Sequence, residues 1–437
     1  MWFVCTGCDA MQHGRFKANG KADLNHSSGF YDYKWIEHPI SKIQIIGDIA
    51  LVFGEMHCEV LAGNIQKILK NKSLAIWRKE NNEWLILCLS ANTVAIRRLN
   101  VKKEFIYDVP QSRVIFGAGS LKNLKAEIEA LGAKKALILC TPEQVELAEK
   151  ISDLLGHSCV GIFPKAVMHV PIETAKEAIN VSRALGADCA IAVGGGSTTG
   201  LGKAIALEDD LPILAIPTTY AGKDPRVLPK TVIYDPELTL SLSLNMSITS
   251  GINAIAHAAE GLYAQNGNPI MSLLAEEGIK ALADGLRLLK QNDQDIEARS
   301  LCLYGAWLCG YVLGNVGMAI HHKLCHTLGG SFNLPHAQTH TVVLPHAIAY
   351  NQQAVPEAMD RIKRALGAKE TTAANALFDL VNELDGPRSL AELGLTESDL
   401  DKATEIALSN PYWNPEAIEK NAIRRLLQNA FEGSRPN

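Results

Sequence analysis

The chain has 437 residues, and 47% of them are hydrophobic, which is enough to fill more than one core. Its formal net charge of −5 gives no basic excess of the kind that draws proteins onto nucleic acid or anionic membranes. No apolar stretch approaches the roughly 18 residues of a membrane span, and the first apolar run is too short for a signal peptide. These features predict a cytoplasmic, multidomain protein that acts on a small molecule.

The ten cysteines do not form the pattern of a disulfide framework. Cys140, Cys189 and Cys309 lie inside apolar runs, which predicts buried thiols in a reducing compartment. Cys5 and Cys8 form the one closely spaced pair, but no second pair follows at zinc-binding spacing. We therefore expect no metal or redox site at this pair.

The first hundred residues contain a strand-rich pattern. Three strand regions are predicted, around Ile43–Val60 with Gly47-Asp48 as a turn, at Lys72–Arg78 and at Trp84–Ser90, and Asn81-Asn82 is a hairpin signal. This pattern is similar to the distal half of the SnoaL-like, or ketosteroid-isomerase-like, cone fold. The residues that precede it are weakly helical, whereas cone folds begin with helices. We expect residues 1–100 to form a partial SnoaL-like antiparallel sheet domain, and we assign it no activity.

A basic stretch at residues 97–103 predicts a linker, after which short apolar strands alternate with amphipathic helices. The predicted elements are Ala136–Cys140, Glu143–Leu155, Cys159–Phe163, Ile172–Leu185, Cys189–Val193, Thr198–Leu207 and Ile213–Pro217. After Asp235 helical periodicity dominates, beginning with Ser247–Gln265, Met271–Lys290 and Glu297–Val316. The fold class is therefore α/β plus all-α: a Rossmann-like nucleotide domain at 104–246 and a helical catalytic domain at 247–437.

A glycine-rich loop follows a buried strand and opens a helix. Gly194, Gly195 and Gly196 allow backbone N–H groups to approach a pyrophosphate, and the helix N-terminus favours the negative charge. Ser197 and Thr198 add hydroxyl groups to the same loop. The loop predicts a phosphate site, although such a turn by itself also occurs without a ligand.

A second strand ends in Pro217 and is followed by Thr218 and Thr219. Ligands of open α/β sheets bind at the carboxyl ends of the strands. Two polar loops at that edge predict a nucleotide crevice, formed by Gly194, Gly195, Gly196, Ser197, Thr198, Thr218 and Thr219.

Polar residues recur one turn apart on two predicted helices of the second half. Asn253 and His257 share a face of one helix, His322 and His326 share a face of another, and His336 follows. Three imidazoles and one oxygen are a conceivable metal site.

These blocks, in this order, resemble the iron-containing alcohol dehydrogenases, whose metal is held by an aspartate and three histidines. The resemblance carries those ligand positions onto Asn253, His257, His322 and His336, and carries a histidine close to the nicotinamide onto His326. Metal-binding members have an aspartate at the position of Asn253. An asparagine at this position is typical of the maleylacetate reductase branch. Further segments that resemble this branch are Phe116–Ser120, Ala166–Pro171, Ser197–Lys203, Val227–Pro236 and Asn410–Pro415.

The resemblance implies NADH- or NADPH-dependent reduction of 2-maleylacetate to 3-oxoadipate in aromatic compound catabolism, by a homodimer that binds a small dicarboxylate. Without the aspartate a metal would be held by neutral ligands, so we expect that none is required and that the histidines stabilise the enolate themselves. If a metal binds, we expect it at His257, His322 and His336. Candidate cations for the dianionic substrate are Arg226, Lys230 and Lys323.

The match is interrupted between Gly222 and Pro225, where somewhat under twenty family residues have no counterpart. Two alternatives to the reductase therefore remain. One is a metal-dependent alcohol dehydrogenase of the same superfamily, and the other is a catalytically impaired fusion protein.

Overall fold

The computed structural model describes two parts of the chain. For residues 31–92 it describes the backbone, apart from 38–39, 47–48, 63–64 and 81–82; for residues 112–436 it also describes the side chains, apart from His169 and 221–228. The chain divides into two compact units, Met1–Lys103 and Glu104–Asn437. The predicted turn at Asn81-Asn82, the pair Cys5 and Cys8, and the junction at Gly222 all lie outside the described residues.

The first unit contains a five-stranded antiparallel sheet. β3 pairs along its whole length with β4, and β1 and β2 share the opposite edge of β3. β5 pairs with β4 on the far side. The first strand was not predicted, although Tyr31, Tyr33 and Trp35 alternate with charged residues in its sequence. The strands are β1 Tyr31–Glu37, β2 Ile40–Ile46, β3 Ile49–Ala62, β4 Ile65–Glu80 and β5 Glu83–Asn92.

The second unit begins with a parallel six-stranded sheet in the order β6-β11-β10-β9-β7-β8. Its central strands are buried on both faces, which explains why they are continuous apolar runs rather than alternating ones. The strands are β6 Arg113–Phe116, β7 Ala136–Leu139, β8 Cys159–Phe163, β9 Cys189–Gly194, β10 Ile213–Pro217 and β11 Thr231–Tyr234. The helices among them are α1 Leu124–Ala130, α2 Val145–Leu155, α3 Ile172–Leu185 and α4 Gly196–Asp209.

Nine helices follow the sheet in the described part of the second unit. They are α5 Leu244–Gly261, α6 Pro269–Gln291, α7 Ile296–Asn315, α8 Ile320–Phe332, α9 His336–Asn351, α10 Pro356–Leu366, α11 Ala373–Glu383, α12 Asp399–Ser409 and α13 Lys420–Glu432. This arrangement confirms the predicted fold class, a parallel α/β sheet followed by a helical domain. Among the described helices no single one has the length and apolar composition to cross a membrane, although α7 and α8, bent by 96°, pass that test as a pair.

Helix α5 lies at the centre of the helical part. Every residue from Ser247 to Gly261 is buried, so the helix is enclosed on all sides rather than on one face. It begins three residues earlier than predicted, because the Ser243 hydroxyl accepts a hydrogen bond from the Met246 N–H (3.3 Å) and caps the first turn. Polar side chains on this helix are therefore held in the interior of the molecule.

The prediction of buried thiols is confirmed at the three cysteines named. Cys140, Cys189 and Cys309 are buried and unpaired. Burial raises the pKa of the Cys140 thiol to about 11, and burial together with the nearby Asp188 raises that of Cys189 to about 12. These thiols are hydrophobic core residues rather than reactive groups.

Candidate active site

The glycine loop joins β9 to α4 at the carboxyl edge of the parallel sheet. Gly194 has φ 139°, a conformation that L side chains rarely adopt. A methyl group there would lie 2.3 Å from Gln144 Oε1 and 2.9 Å from Thr198 Oγ1, and one at Gly195 would lie 2.9 Å from Thr219 Oγ1. The loop therefore needs bare backbone, and the first turn of α4 opens directly from it.

The two predicted loops meet at this edge. The Thr218 N–H donates to the Gly194 carbonyl (3.1 Å), and Gln144 Nε2 donates to Thr218 Oγ1 (2.6 Å). All seven predicted crevice residues thus belong to two adjoining strand ends. Thr198 differs from the expectation, because its buried hydroxyl donates to the Gly195 carbonyl (2.9 Å) and braces the loop. Ser197, half-buried, is the more accessible hydroxyl of the pair.

The predicted histidines converge from three helices. His257 on α5 and His322 on α8 have ring centroids 5.1 Å apart, and His322 lies 6.0 Å from His326. His336 opens α9 and lies 4.3 Å from His340, which is itself 5.1 Å from His322. Asn253 is buried on α5 one turn before His257. The structure therefore brings the predicted site residues into one cluster, at whose margin His326 is exposed.

Several polar atoms of this cluster are buried with no hydrogen-bond partner in the part of the chain that the structure describes. They are Asn253 Oδ1, His257 Nδ1, His321 Nδ1, His322 Nε2 and His340 Nε2. A buried polar atom without a partner is costly, at about 1–3 kcal/mol each. Such a concentration is typical of a site completed by a ligand.

The cluster disfavours positive charge on its own imidazoles. Burial, reinforced by the neighbouring histidines His322, His336 and His326, holds the pKa of His257 well below its usual value. Burial does the same first of all for the pKa of His321 and of His340. These rings are neutral near pH 7, so they offer lone pairs and N–H groups rather than imidazolium charge.

Glu260 is a site residue that the sequence analysis missed. It is fully buried on α5, one turn after His257, and its Oε2 lies 2.6 Å from His322 Nδ1. Its spacing from His257 on one helix face was a usable signal. A glutamate within a helix is ordinarily a solvated residue, and only the packing of α8 on α5 reveals its partner.

His321 and His340 were also missed. His321 Nε2 and His340 Nδ1 lie 3.0 Å apart, and Cys325 Sγ lies 3.7 Å from the same His321 nitrogen. Their ligand atoms lie within 4.8 Å of one another, so the three residues form a group that could hold a metal ion. The i, i+4 spacing of His336 and His340 was a signal for this group.

The three candidate cations have different positions. Lys230 is exposed and precedes β11, at the amino edge of the parallel sheet, so it lies away from the crevice at the carboxyl edge. Lys323 lies on α8 next to His322, with its Nζ 5.6 Å from the centre of the Tyr412 ring. Arg226 lies outside the described residues. Of the two candidates that the structure describes, Lys323 is the one that lies beside the histidine cluster.

Comparisons with known proteins match residues 110–431, which is most of the second unit. Residues 110–250 match the family model of iron-containing alcohol dehydrogenases, and residues 247–431 match the model of the C-terminal part of the Fe-containing alcohol dehydrogenase family. The chain is 55% identical to a maleylacetate reductase of Burkholderia cepacia, over 76% of this chain and 99% of the relative.

Two solved structures are similar in fold. The crystal structure of maleylacetate reductase from Rhizobium sp. strain MTP-10005 matches with a TM-score of 0.73 at 49% identity, covering 76% of this chain and 100% of that one. The iron-containing alcohol dehydrogenase of Corynebacterium glutamicum matches with a TM-score of 0.72 at 39% identity, covering 76% and 98%.

The alignment to the Burkholderia relative also bears on the length of the chain. It spans 351 residues, whereas 76% of 437 residues is about 332, so about 19 aligned positions have no residue in this chain. That number is close to the length of the segment predicted to be missing between Gly222 and Pro225. The position of the shortfall stays a prediction.

The prediction that no metal is required is wrong. Both matching family models are those of iron-containing enzymes, and a group of metal-ligand residues lies in the cluster. The prediction rested on the loss of the aspartate, but Asn253 retains an oxygen donor whose Oδ1 has no partner in the described part. His322 likewise presents an unpartnered Nε2. The Asn253 oxygen and the His322 nitrogen, together with His257 and His336, fit a divalent ion.

The chain belongs to the iron-containing alcohol dehydrogenase family, in its maleylacetate reductase branch.

Proposed function

We propose that this chain catalyses the NADH- or NADPH-dependent reduction of 2-maleylacetate to 3-oxoadipate. The observation that carries the proposal is the cluster of His257, His322 and His336, with Asn253 buried one turn before His257 on α5. The resemblance makes Asn253 the residue that distinguishes this branch. The substrate is a small dicarboxylate with a carbon–carbon double bond conjugated to a ketone. Reduction therefore builds negative charge on the ketone oxygen, and the site must stabilise that charge.

The crevice at Gly194 and Gly195 fits the nicotinamide cofactor, because its bare backbone and the first turn of α4 form a phosphate cradle. The cofactor supplies the hydride. Thr218, whose hydroxyl accepts a hydrogen bond from Gln144 Nε2, lies at the adjoining strand end.

The metal would be held by His257, His322 and His336 together with the Asn253 carbonyl oxygen, and it supplies Lewis-acid stabilisation of the enolate. The neutral ring of His257 offers a lone pair to such an ion. We assign protonation of the enolate carbon to His326, because it is the exposed member of the cluster and can regain its proton from water. Lys323 on the same helix is a candidate partner for a substrate carboxylate.

Turnover tests this proposal directly. We expect oxidation of NADH or NADPH that depends on added 2-maleylacetate, that falls when a chelator removes divalent metal, and that returns when Fe²⁺ is restored. The rate is measured by following loss of the reduced cofactor. A folded protein that oxidises simple alcohols with NAD⁺ but does not reduce 2-maleylacetate would favour the alcohol dehydrogenase alternative. A folded protein that binds neither cofactor would favour the impaired fusion protein.

The remaining expectations are part of the same proposal. We infer that residues 104–246 bind the cofactor, that residues 247–437 carry the catalytic groups, and that the enzyme is a cytoplasmic homodimer. The five-stranded antiparallel sheet within residues 31–92 supports a partial SnoaL-like domain at residues 1–100. Sedimentation equilibrium of the purified chain distinguishes monomer from dimer.

A further inference from the structure

We propose that Glu260 is the anionic group of the metal site, acting through His322 in place of the aspartate that Asn253 replaces. Glu260 does not touch the reacting atoms in this proposal, so it is a positioning residue. The inference rests on the proposed function only in so far as that function includes a metal at His257, His322 and His336.

The contacts of Glu260 establish that its carboxyl group is an acceptor. Its Oε1 accepts the N–H of His321 at 2.7 Å, and its Oε2 accepts the N–H of Ala319 at 3.0 Å. The same Oε2 lies 2.6 Å from His322 Nδ1. Backbone N–H groups only donate, so each oxygen of Glu260 accepts a hydrogen bond from the start of α8. In this proposal the carboxyl group is ionised and also accepts from His322 Nδ1. The first turn of α8 is therefore built on a buried negative charge.

This negative charge has no lysine or arginine partner among the described residues; its one ion-pair contact is with His322. Glu260 is fully buried, and a buried carboxylate needs both hydrogen bonds and a compensating positive charge. The N-terminus of α8 supplies part of that compensation through its dipole. A cation on the far side of the His322 ring would supply the rest.

The carboxylate also determines which nitrogen of His322 faces such a cation. Because Glu260 accepts, Nδ1 carries the hydrogen, and in the neutral ring Nε2 then carries the lone pair. This Nε2 is buried and without a partner in the part that the structure describes. A carboxylate bonded to the outer nitrogen of a ligand imidazole orients the ring and strengthens it as a donor. A ligand set of three neutral imidazoles and one amide oxygen is thereby linked to one negative charge, that of Glu260, through His322.

Metal affinity is the measurement that tests this role. The full chain is freed of metal with a chelator and titrated anaerobically with Fe²⁺ by calorimetry, without substrate or cofactor. We expect Glu260→Gln to weaken Fe²⁺ binding about 10- to 100-fold, the range for loss of such a supporting residue. Glu383→Gln, which alters an exposed carboxylate paired with Arg287, is the matched control and should leave the affinity unchanged.

Repeating Glu260→Gln in a chain that also carries Asn253→Asp distinguishes replacement of the missing charge from a general structural effect. Asn253→Asp restores a direct anionic ligand and should tighten Fe²⁺ binding. If Glu260 substitutes for that charge, Glu260→Gln should cost less affinity in the Asn253→Asp background than in the unaltered chain. Equal losses in the two backgrounds would contradict the proposal.

Glu260→Gln also alters the hydrogen bonds that Glu260 accepts from the backbone at the start of α8, so the variant could change affinity through the helix alone. One measurement therefore uses the unaltered chain. Nitrogen NMR of the metal-free protein labelled in its histidines, with His322 assigned from His322→Gln, should show the hydrogen on Nδ1. A hydrogen on Nε2 would overturn the inference. Fe²⁺ binding as tight in folded Glu260→Gln as in the unaltered chain would overturn this inference alone. Failure of the unaltered chain to bind Fe²⁺ would overturn the metal in the proposed function as well.

Discussion

Gly194 shows how one residue adapts the sheet edge to a cofactor. Its backbone has φ 139°, and the space that a side chain would occupy is filled by Gln144 and Thr198. Both constraints act on the same position, so a substitution there is strained by backbone conformation and by contact at once. The crevice is consequently a rigid surface rather than a flexible loop end.

Gly194→Ala should therefore weaken NADH binding by about 5- to 150-fold, since the strain of about 1–3 kcal/mol must be relieved by moving the loop. Cofactor fluorescence titration measures the affinity. Gly330→Ala is a suitable control, because it lies near the end of α8 with no atom within 4 Å of the added methyl group and no positive φ. Equal NADH affinity of Gly194→Ala and the unaltered chain would show that this loop does not approach the cofactor.

The site residues that were predicted are those with a local signature. The glycine run and the His322-His326 spacing are visible in the sequence because a turn and a helix face are local structures. Glu260, His321 and His340 were not predicted, because their partners lie on other helices. The error about the metal came from treating the loss of the aspartate as the loss of the site, although Asn253 keeps an oxygen atom at the same position.

At the scale of elements, a buried arginine joins helix α7 to helix α5 and to three loop segments. Arg299 in the first turn of α7 is fully buried and donates to the carbonyls of Leu242 (3.0 Å) and Asp293 (2.7 Å). It also donates to the hydroxyls of Ser247 (2.7 Å) and Tyr220 (3.3 Å). Tyr220 follows the Thr218-Thr219 loop and precedes the undescribed residues 221–228. The guanidinium thus fixes the last described residue of the crevice loop to the helical part.

Replacing Arg299 by methionine should destabilise the chain by about 3–5 kcal/mol, because several buried acceptors lose their donor together. Urea denaturation followed by circular dichroism measures the change. Arg287→Met removes a largely exposed ion pair with Glu383 and should cost less than about 1 kcal/mol. Similar stabilities of the two variants would rule out this role for Arg299.

Elements were predicted best where the apolar pattern was long. Ile172–Leu185 and Ile213–Pro217 were predicted with the bounds that the structure gives, because the first has a clear helical periodicity and the second is a short, continuous apolar run. Helix α5 was predicted to run to Gln265 but ends at Gly261. The order of the six parallel strands was not predicted, since pairing between strands distant in the chain leaves no local pattern.

At the scale of the whole molecule, buried neutral histidines couple stability to pH. Burial lowers the pKa of His346 from 6.5 to about 4, and the pKa values of His257, His321 and His340 are also lowered. In the unfolded chain these residues bind protons below about pH 6.5, whereas the folded chain resists protonation. The unfolded state then holds more protons, so stability must decrease as the pH falls.

We therefore expect the metal-free chain to be fully stabilised above about pH 6.5 and to lose stability progressively between that value and about pH 4. His346 alone should contribute about 3 kcal/mol of this loss at pH 4. Urea midpoints measured across this range should fall less steeply for His346→Gln than for the unaltered chain. His157→Gln, at an exposed position, is the control, and an equal slope for His346→Gln would contradict the expectation.

The contacts of Glu260 have a consequence for how the protein can be handled. The carboxylate that begins α8 is also the one that orients His322, so formation of this helix and assembly of the site are a single cooperative event. A molecule in which α8 is intact has His322 correctly oriented, and a molecule in which α8 is unfolded does not. The fraction of active molecules in a preparation is then limited by the fraction in which α8 is folded, and a count of competent sites gives a minimum for the number of native chains.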